Sequence, residues 1–346
     1  MDRACNRTVK VVLDTNQMDR MPMLRHSLAT LLMHNISING GVLALPYVVM
    51  RESSRHLVEK LERAVQAAEK GLGEIRQLVG EAPEVGAFES VDMAAEFVQR
   101  LEEFGDLIEL SDASPEQFQR AGEMVLSGDP PSKPKNQQFK DSLLWQEVLI
   151  LAETDDVKFV TNDSGFLNAD RSALADSLSA QVQAAGLSIE VHADIESLLR
   201  HWGQEEDPED KEIVEEQLRA SARLAIDRAM LSVTTFDLGP EVDANFDYFA
   251  TEPPGTVYVA ADLEYELVDM EFPEMDARGI VTARVSATYE AGVLEVSDVS
   301  VDELSVDLLT PHADIHLGGF VAVSSSGGSS DVQIRRYNAM APLRPL

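Results

Sequence analysis

Apolar and polar positions change period several times along the first two hundred residues, and each change marks an element. Val9 to Leu13, within TVKVVLD, is a continuous β-branched run suited to a strand buried on both faces of a parallel sheet. It stops at the turn-forming residues Asp14, Thr15 and Asn16. His26 to Met33 predicts a short helix, and Gly41 to Leu45 a second strand stopped by Pro46. Proline suits the first turn of a helix, and Val48, Leu57, Leu61 and Val65 recur at helical spacing between Tyr47 and about Lys70. Gly71 to Pro131 reads as mostly amphipathic helix, with turn signals at Gly80–Gly86 and Asp112–Pro115 and an N-cap at Ser114 before Pro115. A polar loop from Gly128 to Lys135 follows, then a helix from Asp141 to Ala152 and strands at Val157–Thr161 and Leu187–Val191. A last helix spans Asp194–Trp202.

Strands alternating with helices predict an α/β fold, a doubly wound parallel sheet with a helical insertion, over residues 1–202. The acidic, proline-containing stretch 203–211 reads as a linker. Beyond it, Ile213 to Met230 predicts an amphipathic helix, and Val257–Val268, Ile280–Tyr289 and Val293–Val301 alternate like half-solvated antiparallel strands. Residues 212–346 are therefore expected to form an acidic α+β domain, with a flexible tail at Ser324–Ser330.

Composition narrows the function. The chain has 346 residues, 44% hydrophobic and 26% charged, the balance of an ordinary globular protein. The longest apolar runs, such as Val42 to Met50, contain a proline and are too short to cross a bilayer, so no membrane role is expected. A single cysteine, Cys5, excludes an intrachain disulfide framework and a Cys-based zinc cluster. With no room for a signal peptide before the strand at Val9, a reducing cytoplasmic setting is expected. With 28 Lys plus Arg against 61 Asp plus Glu, the net charge is −33. Such a surface repels polyphosphates, which argues against broad backbone-driven DNA binding, although bound divalent cations reverse the field locally.

Ligand crevices in such sheets lie beyond the carboxyl ends of the strands, where Asp14 and Asp163 fall. Glu52, early in the helix after Pro46, and Asp141, opening another helix, complete a set of four acids at element ends. Hard divalent cations such as Mg²⁺ or Mn²⁺ favour such oxygen ligands, and Thr15, Asn16, Thr161 and Asn162 are suitable donors for orienting the carboxylates. Each acid also has a bland role: aspartates cap turns after strands, Asp141 complements a helix dipole, and Glu52 sits on a solvated helix face. Lys133, Lys135 and Lys140 form a local basic cluster able to grip a substrate phosphate, or simply a solvated loop. Trp145 and Trp202 read as core. The pair His312/His316 beside Asp314 is the one histidine pair with ligand-like spacing and reads mainly as strand or loop.

The segments VVLDTN, LPYVVMRE, FKDSLLWQ and FVTNDSGF resemble, in order and on matching elements, the PIN domain, and are particularly similar to the larger bacterial PIN-like proteins of the DUF4935 type. The resemblance covers about residues 8–200. It implies that Asp14, Glu52, Asp141 and Asp163 ligate metal, with Thr161 and Asn162 matching the polar residues before the last acid. The activity it implies is Mg²⁺- or Mn²⁺-dependent endonucleolytic cleavage of RNA leaving a 3′-hydroxyl, or in some members cleavage of structured DNA. Two departures stand out: the helical stretch Gly71–Pro131 exceeds that of compact toxin-type PIN domains, and Glu59 competes with Glu52 for the second acid. Transfer through an aspartyl-phosphate needs a second aspartate where Asn16 stands. A catalytically silent PIN scaffold is the non-enzymatic alternative, with residues 212–346 binding a protein partner or self-associating. Toxin–antitoxin, phage-defence and RNA-turnover settings are equally compatible with these residues.

Overall fold

Val11, Val12 and Leu13 are fully buried on strand β1 (Val9–Leu13), as a β-branched run covered on both faces requires. The computed structural model describes residues 7–80, 91–133, 138–205, 207–231, 237–251, 255–268, 278–309, 314–319, 321–324 and 333–334. The chain divides into two units, Met1–Trp202 and Gly203–Leu346.

In the first unit β1 is followed by α1 (Thr15–Asp19), α2 (Ser27–Ile38), β2 (Gly41–Leu45), α3 (Tyr47–Val79), α4 (Met93–Glu102) and β3 (Ile108–Leu110). Then come α5 (Pro115–Ser127), α6 (Phe139–Thr154), β4 (Asp156–Val160), α7 (Asp176–Ala185), β5 (Ile189–His192) and α8 (Ile195–His201). The five strands form one sheet in the order β3-β2-β1-β4-β5, and every pairing is parallel. The chain winds outward from β1 through β2 to β3, then returns to place β4 on the other flank of β1. The reversal of strand order therefore falls between β1 and β4, the position beyond the strand ends at which sheets of this kind bind ligands. A buried two-pronged ion pair between Arg20, just after α1, and Glu196 of α8 ties the two ends of this unit together.

Several expectations need correction. Thr15 and Asn16 are not a turn but the first residues of α1, which Asp14 caps through its side chain. Helix α2 runs to Ile38, five residues past the expected end, and its buried Asn35 returns a hydrogen bond to the Leu31 carbonyl at 2.9 Å. Helix α3 passes through Gly71 and Gly73, each costing roughly 1 kcal/mol relative to alanine, and ends at Gly80 in a left-handed conformation. Pro46 stands at the cap of α3 rather than in its first turn. The stretch expected to be helical up to Pro131 includes strand β3, a three-residue edge strand too short to show a period. Helix α7 had no counterpart in the sequence pattern.

The second unit opens with α9 (Lys211–Leu231), so helix begins at the last residue assigned to the linker. It continues through β6 (Asp237–Ala250), β7 (Thr256–Val268), β8 (Arg278–Glu290), β9 (Glu295–Leu309), β10 (Asp314–Gly319), β11 (Val321–Ser324) and β12 (Gln333–Ile334). All its pairings are antiparallel. Val214, Leu218, Ala222, Ile226 and Met230 follow helical spacing along α9. They share one core with the alternate residues Val257, Val259, Ala261, Leu263, Tyr265 and Leu267 of β7. Strand β6 alternates apolar and polar residues through Val242, Ala244, Phe246 and Tyr248, a pattern that the sequence expectations passed over. Most of the expected tail, residues 325–330, and His312 lie outside the described residues. No described helix is long and apolar enough to cross a membrane.

Candidate functional site

The site begins where β1 and β4 end side by side. The Asp14 N–H donates to the Val160 carbonyl at 2.9 Å, fixing the two strand ends together. As the cap of α1, Asp14 accepts the Thr15 N–H on Oδ1 at 2.6 Å. Its Oδ2 accepts the hydroxyl of Thr161 at 2.8 Å. Thr161 is fully buried, its own N–H donates to the His192 carbonyl of β5, and its Oγ1 accepts the Asp163 N–H at 3.1 Å. One threonine thus orients both strand-end aspartates. Asn16 and Asn162 touch only through a long 3.4 Å contact.

Asp163 folds back on the chain by accepting the Gly165 N–H at 2.5 Å. A Cβ on Gly165 would stand 3.0 Å from Asp163 Oδ1 and 3.1 Å from the Pro131 carbonyl, so only glycine lets these groups approach. Glu52 reaches in from the second turn of α3: Oε2 accepts the Thr15 hydroxyl at 3.0 Å and Oε1 pairs with the Lys140 ammonium. Glu59 pairs with Arg55 at 3.7 Å on the exposed face of α3, so Glu52 is the acid this helix delivers to Thr15.

Asp141 sits in the first turn of α6. That helix start is clasped by two buried serines: Ser132 Oγ accepts the Gln138 N–H at 3.1 Å, Ser142 Oγ donates to the Gln138 carbonyl at 2.9 Å, and the two hydroxyls meet at 3.0 Å. Glu147, further along α6, accepts the Tyr47 N–H at 3.0 Å. Pro46 offers no side-chain cap to α3, so a buried carboxylate from another helix supplies it. The sequence reading missed Ser132, Ser142, Glu147 and Gly165. For Glu147 a signal existed, because a charge inside a helix buried almost all round must find a partner.

The electrostatics follow from this crowding. Burial raises the Asp14 carboxyl to about 6, with repulsion from Asp163 and Glu52 adding to it and hydrogen bonds from Thr161 and Thr15 opposing it. Asp141 is pushed up to about 7 by burial, then by Asp163, Asp14 and Glu52, with Lys140 pulling the other way. Glu147 also rises to about 7, through burial. The four acids therefore sense one another across one crevice. Among the described residues, however, no three His, Cys, Asp or Glu side chains form a ready-made cation cage. The donor set itself suits a hard divalent ion: oxygen-only, negatively charged and short of counter-charge. Among the described residues Lys140 and, at 3.8 Å, Arg55 pair with these acids, both on Glu52; Lys133 is exposed, and Lys135 lies outside the described residues. Trp145 is fully buried with its indole N–H on Gln181, and Trp202 is half-buried.

Compared with known families, residues 11–166 match the PIN domain model. No curated protein matches the chain. The five-stranded parallel sheet with its flanking helices is a PIN fold, the type of fold found in nucleases.

Proposed function

Taking the PIN domain at residues 11–166 as premise, we propose that the chain is a divalent-metal-dependent endonuclease that hydrolyses phosphodiester bonds in RNA. Asp14, Asp163, Asp141 and Glu52 are the Mg²⁺ or Mn²⁺ ligands of this reading. Such an ion supplies charge neutralisation at the scissile phosphate and a water of lowered pKa. The observation that carries the reading is the gathering of acids at the strand ends: Thr161 joins Asp14 to Asp163 and Thr15 joins Asp14 to Glu52, while burial, and then neighbouring acids, raise Asp14 and Asp141. Folding has brought together carboxylates that repel one another, an arrangement that makes energetic sense when a cation completes it.

The chain's own residues divide the remaining work. Thr161 aligns Asp14 with Asp163, Thr15 steadies Glu52, and the serine clasp sets the depth of Asp141. Lys140, on the rim, is placed to meet a substrate phosphate that the rest of this acidic chain repels.

A second reading is favoured by the absence of a ready-made cage among the described residues and by the Lys140 pairing with Glu52: a silent PIN scaffold that acts through residues 212–346 by binding a protein or a second copy. A cleavage screen over RNA, single-stranded DNA and branched DNA, with Mg²⁺ or Mn²⁺ and with chelator, separates the two. Wild type is expected to cut RNA only with metal, and Asp14→Asn to lose on the order of a thousandfold in rate. Full activity in Asp14→Asn ends the metal-ligand assignment. Selective cutting of branched DNA moves the substrate, and no cleavage together with no calorimetric Mn²⁺ binding favours the scaffold.

A further inference from the structure

Helices α3, α5 and α6 begin at the same edge of the sheet as the acids, because α3 and α5 leave the carboxyl ends of β2 and β3 and α6 leads back into β4. Each carries an aromatic ring at or near its start. Tyr47 is the first residue of α3, Phe139 the first of α6, and Phe118 follows the Ser114 capping box of α5. The three rings meet. Tyr47 and Phe118 stand edge to face with centroids 6.1 Å apart, and Phe118 and Phe139 lie nearly parallel, 26° between planes, at 6.3 Å. Phe118 remains 38% exposed and Phe139 40%, whereas Phe97, Phe159 and Phe166 of the same unit are buried at 1% or less and Phe104 is half-buried.

Position puts these rings near the acids, since Lys140, next to Phe139, pairs with Glu52. Phe139 precedes Lys140 and Asp141 directly, and Tyr47 lies five residues before Glu52, about 7.5 Å of helix rise. A strand whose scissile phosphate sits at the acids therefore carries a neighbouring nucleotide past the rings. Charge says why they are needed. At a net −33 the protein gains little from phosphate contacts, and base stacking is the sequence-tolerant interaction that does not depend on them.

We propose that Phe118 and Phe139, buttressed by Tyr47, form a stacking platform for an unpaired base next to the cleaved bond. This rests on the nuclease reading above. Duplex bases are already stacked and present only their edges, so a duplex cannot use the platform.

The test measures binding of fluorescent oligonucleotides to the full chain with metal chelated. The probes are a single strand, the same strand with abasic sites walked along it, and the corresponding duplex. The proposal expects the single strand to bind roughly tenfold or more tightly than the duplex. It also expects one abasic position near the cut to weaken binding by a similar factor, and Phe118→Ala/Phe139→Ala to lose about tenfold or more. Phe139→Trp, which keeps a π face, is expected to retain binding and guards against a folding artefact. In metal-supplemented cleavage the double alanine variant is expected to show the loss in KM. Equal binding by abasic and intact strands, or wild-type affinity in the double variant, overturns the platform and turns the patch over to a protein partner. If wild type cleaves and Asp14→Asn does not while both aromatic variants behave as wild type, the nuclease reading survives and only this inference falls.

Discussion

The two units handle the same residue type in opposite ways. In the first, Asp14 is 6% exposed and shares its crevice with Asp163, Asp141 and Glu52. In the second, Asp243, Glu266, Glu290 and Glu303 stand exposed along the strands, where water solvates them. Its part-buried polar contacts include two from hydroxyl to carboxylate: Tyr248 donates to Glu215 at 2.9 Å and Tyr289 to Asp210 at 3.1 Å. A carboxylate in water is nearly free of folding consequence, whereas carboxylates crowded beyond strand ends work against the fold that holds them. Total charge is therefore a poor guide to this protein's chemistry, and the position of each acid is a good one.

That contrast can be attacked in three ways. The largest effect is expected at Thr161, whose hydroxyl serves two acids at once: Thr161→Val should cut metal-dependent cleavage by about 10- to 100-fold, while Thr161→Ser keeps most of it. A Thr161→Val variant of wild-type rate would mean that the aspartates need no alignment.

The next effect is on stability. The folded pKa of Asp14, about 6, lies above its ordinary value of 3.8, so the folded chain keeps a proton that the unfolded chain has released. This contribution favours folding below about pH 4 and disappears as pH rises through 6. Metal-free wild type should thus lose on the order of 3 kcal/mol across that window from this group. Asp14→Asn should lack that loss and, near pH 7 with chelator present, be more stable by roughly 1–3 kcal/mol. Parallel melting curves for the two proteins from pH 4 to 7 would show that the acids do not strain the fold.

The smallest effect belongs to the second unit. Glu303→Gln and Glu266→Gln, on exposed positions, should each change stability by less than about 0.5 kcal/mol and leave cleavage as it was. A larger change would make those strand faces something other than a solvated surface.

Much of the site was legible because its signals are local. A carboxylate directly after a buried β-branched run must lie at a strand end, as Asp14 does, and Asp163 comes three residues past the end of β4. Ser114 announced its helix through the capping pattern and caps it as expected. What escaped depends on partners far along the chain. β3 exists because β2 offers it an edge, and Glu147 matters because Tyr47 lies a hundred residues away. The serine clasp is nearly local, yet Ser132 looks like any loop serine until Gln138 and Ser142 close on it. The end of α3 was misread for a different reason: two glycines suggested a stop that the helix simply absorbs.

Glu147 grips the first amide of α3 from within α6, so the helix bearing Glu52 and the helix bearing Asp141 meet at a shared joint. Like the pivot of a caliper, that joint sets how far apart the two tips stand. The gauge of the crevice is thereby written by a side chain that never enters it. Any change that loosens the pivot widens the jaws without touching either tip.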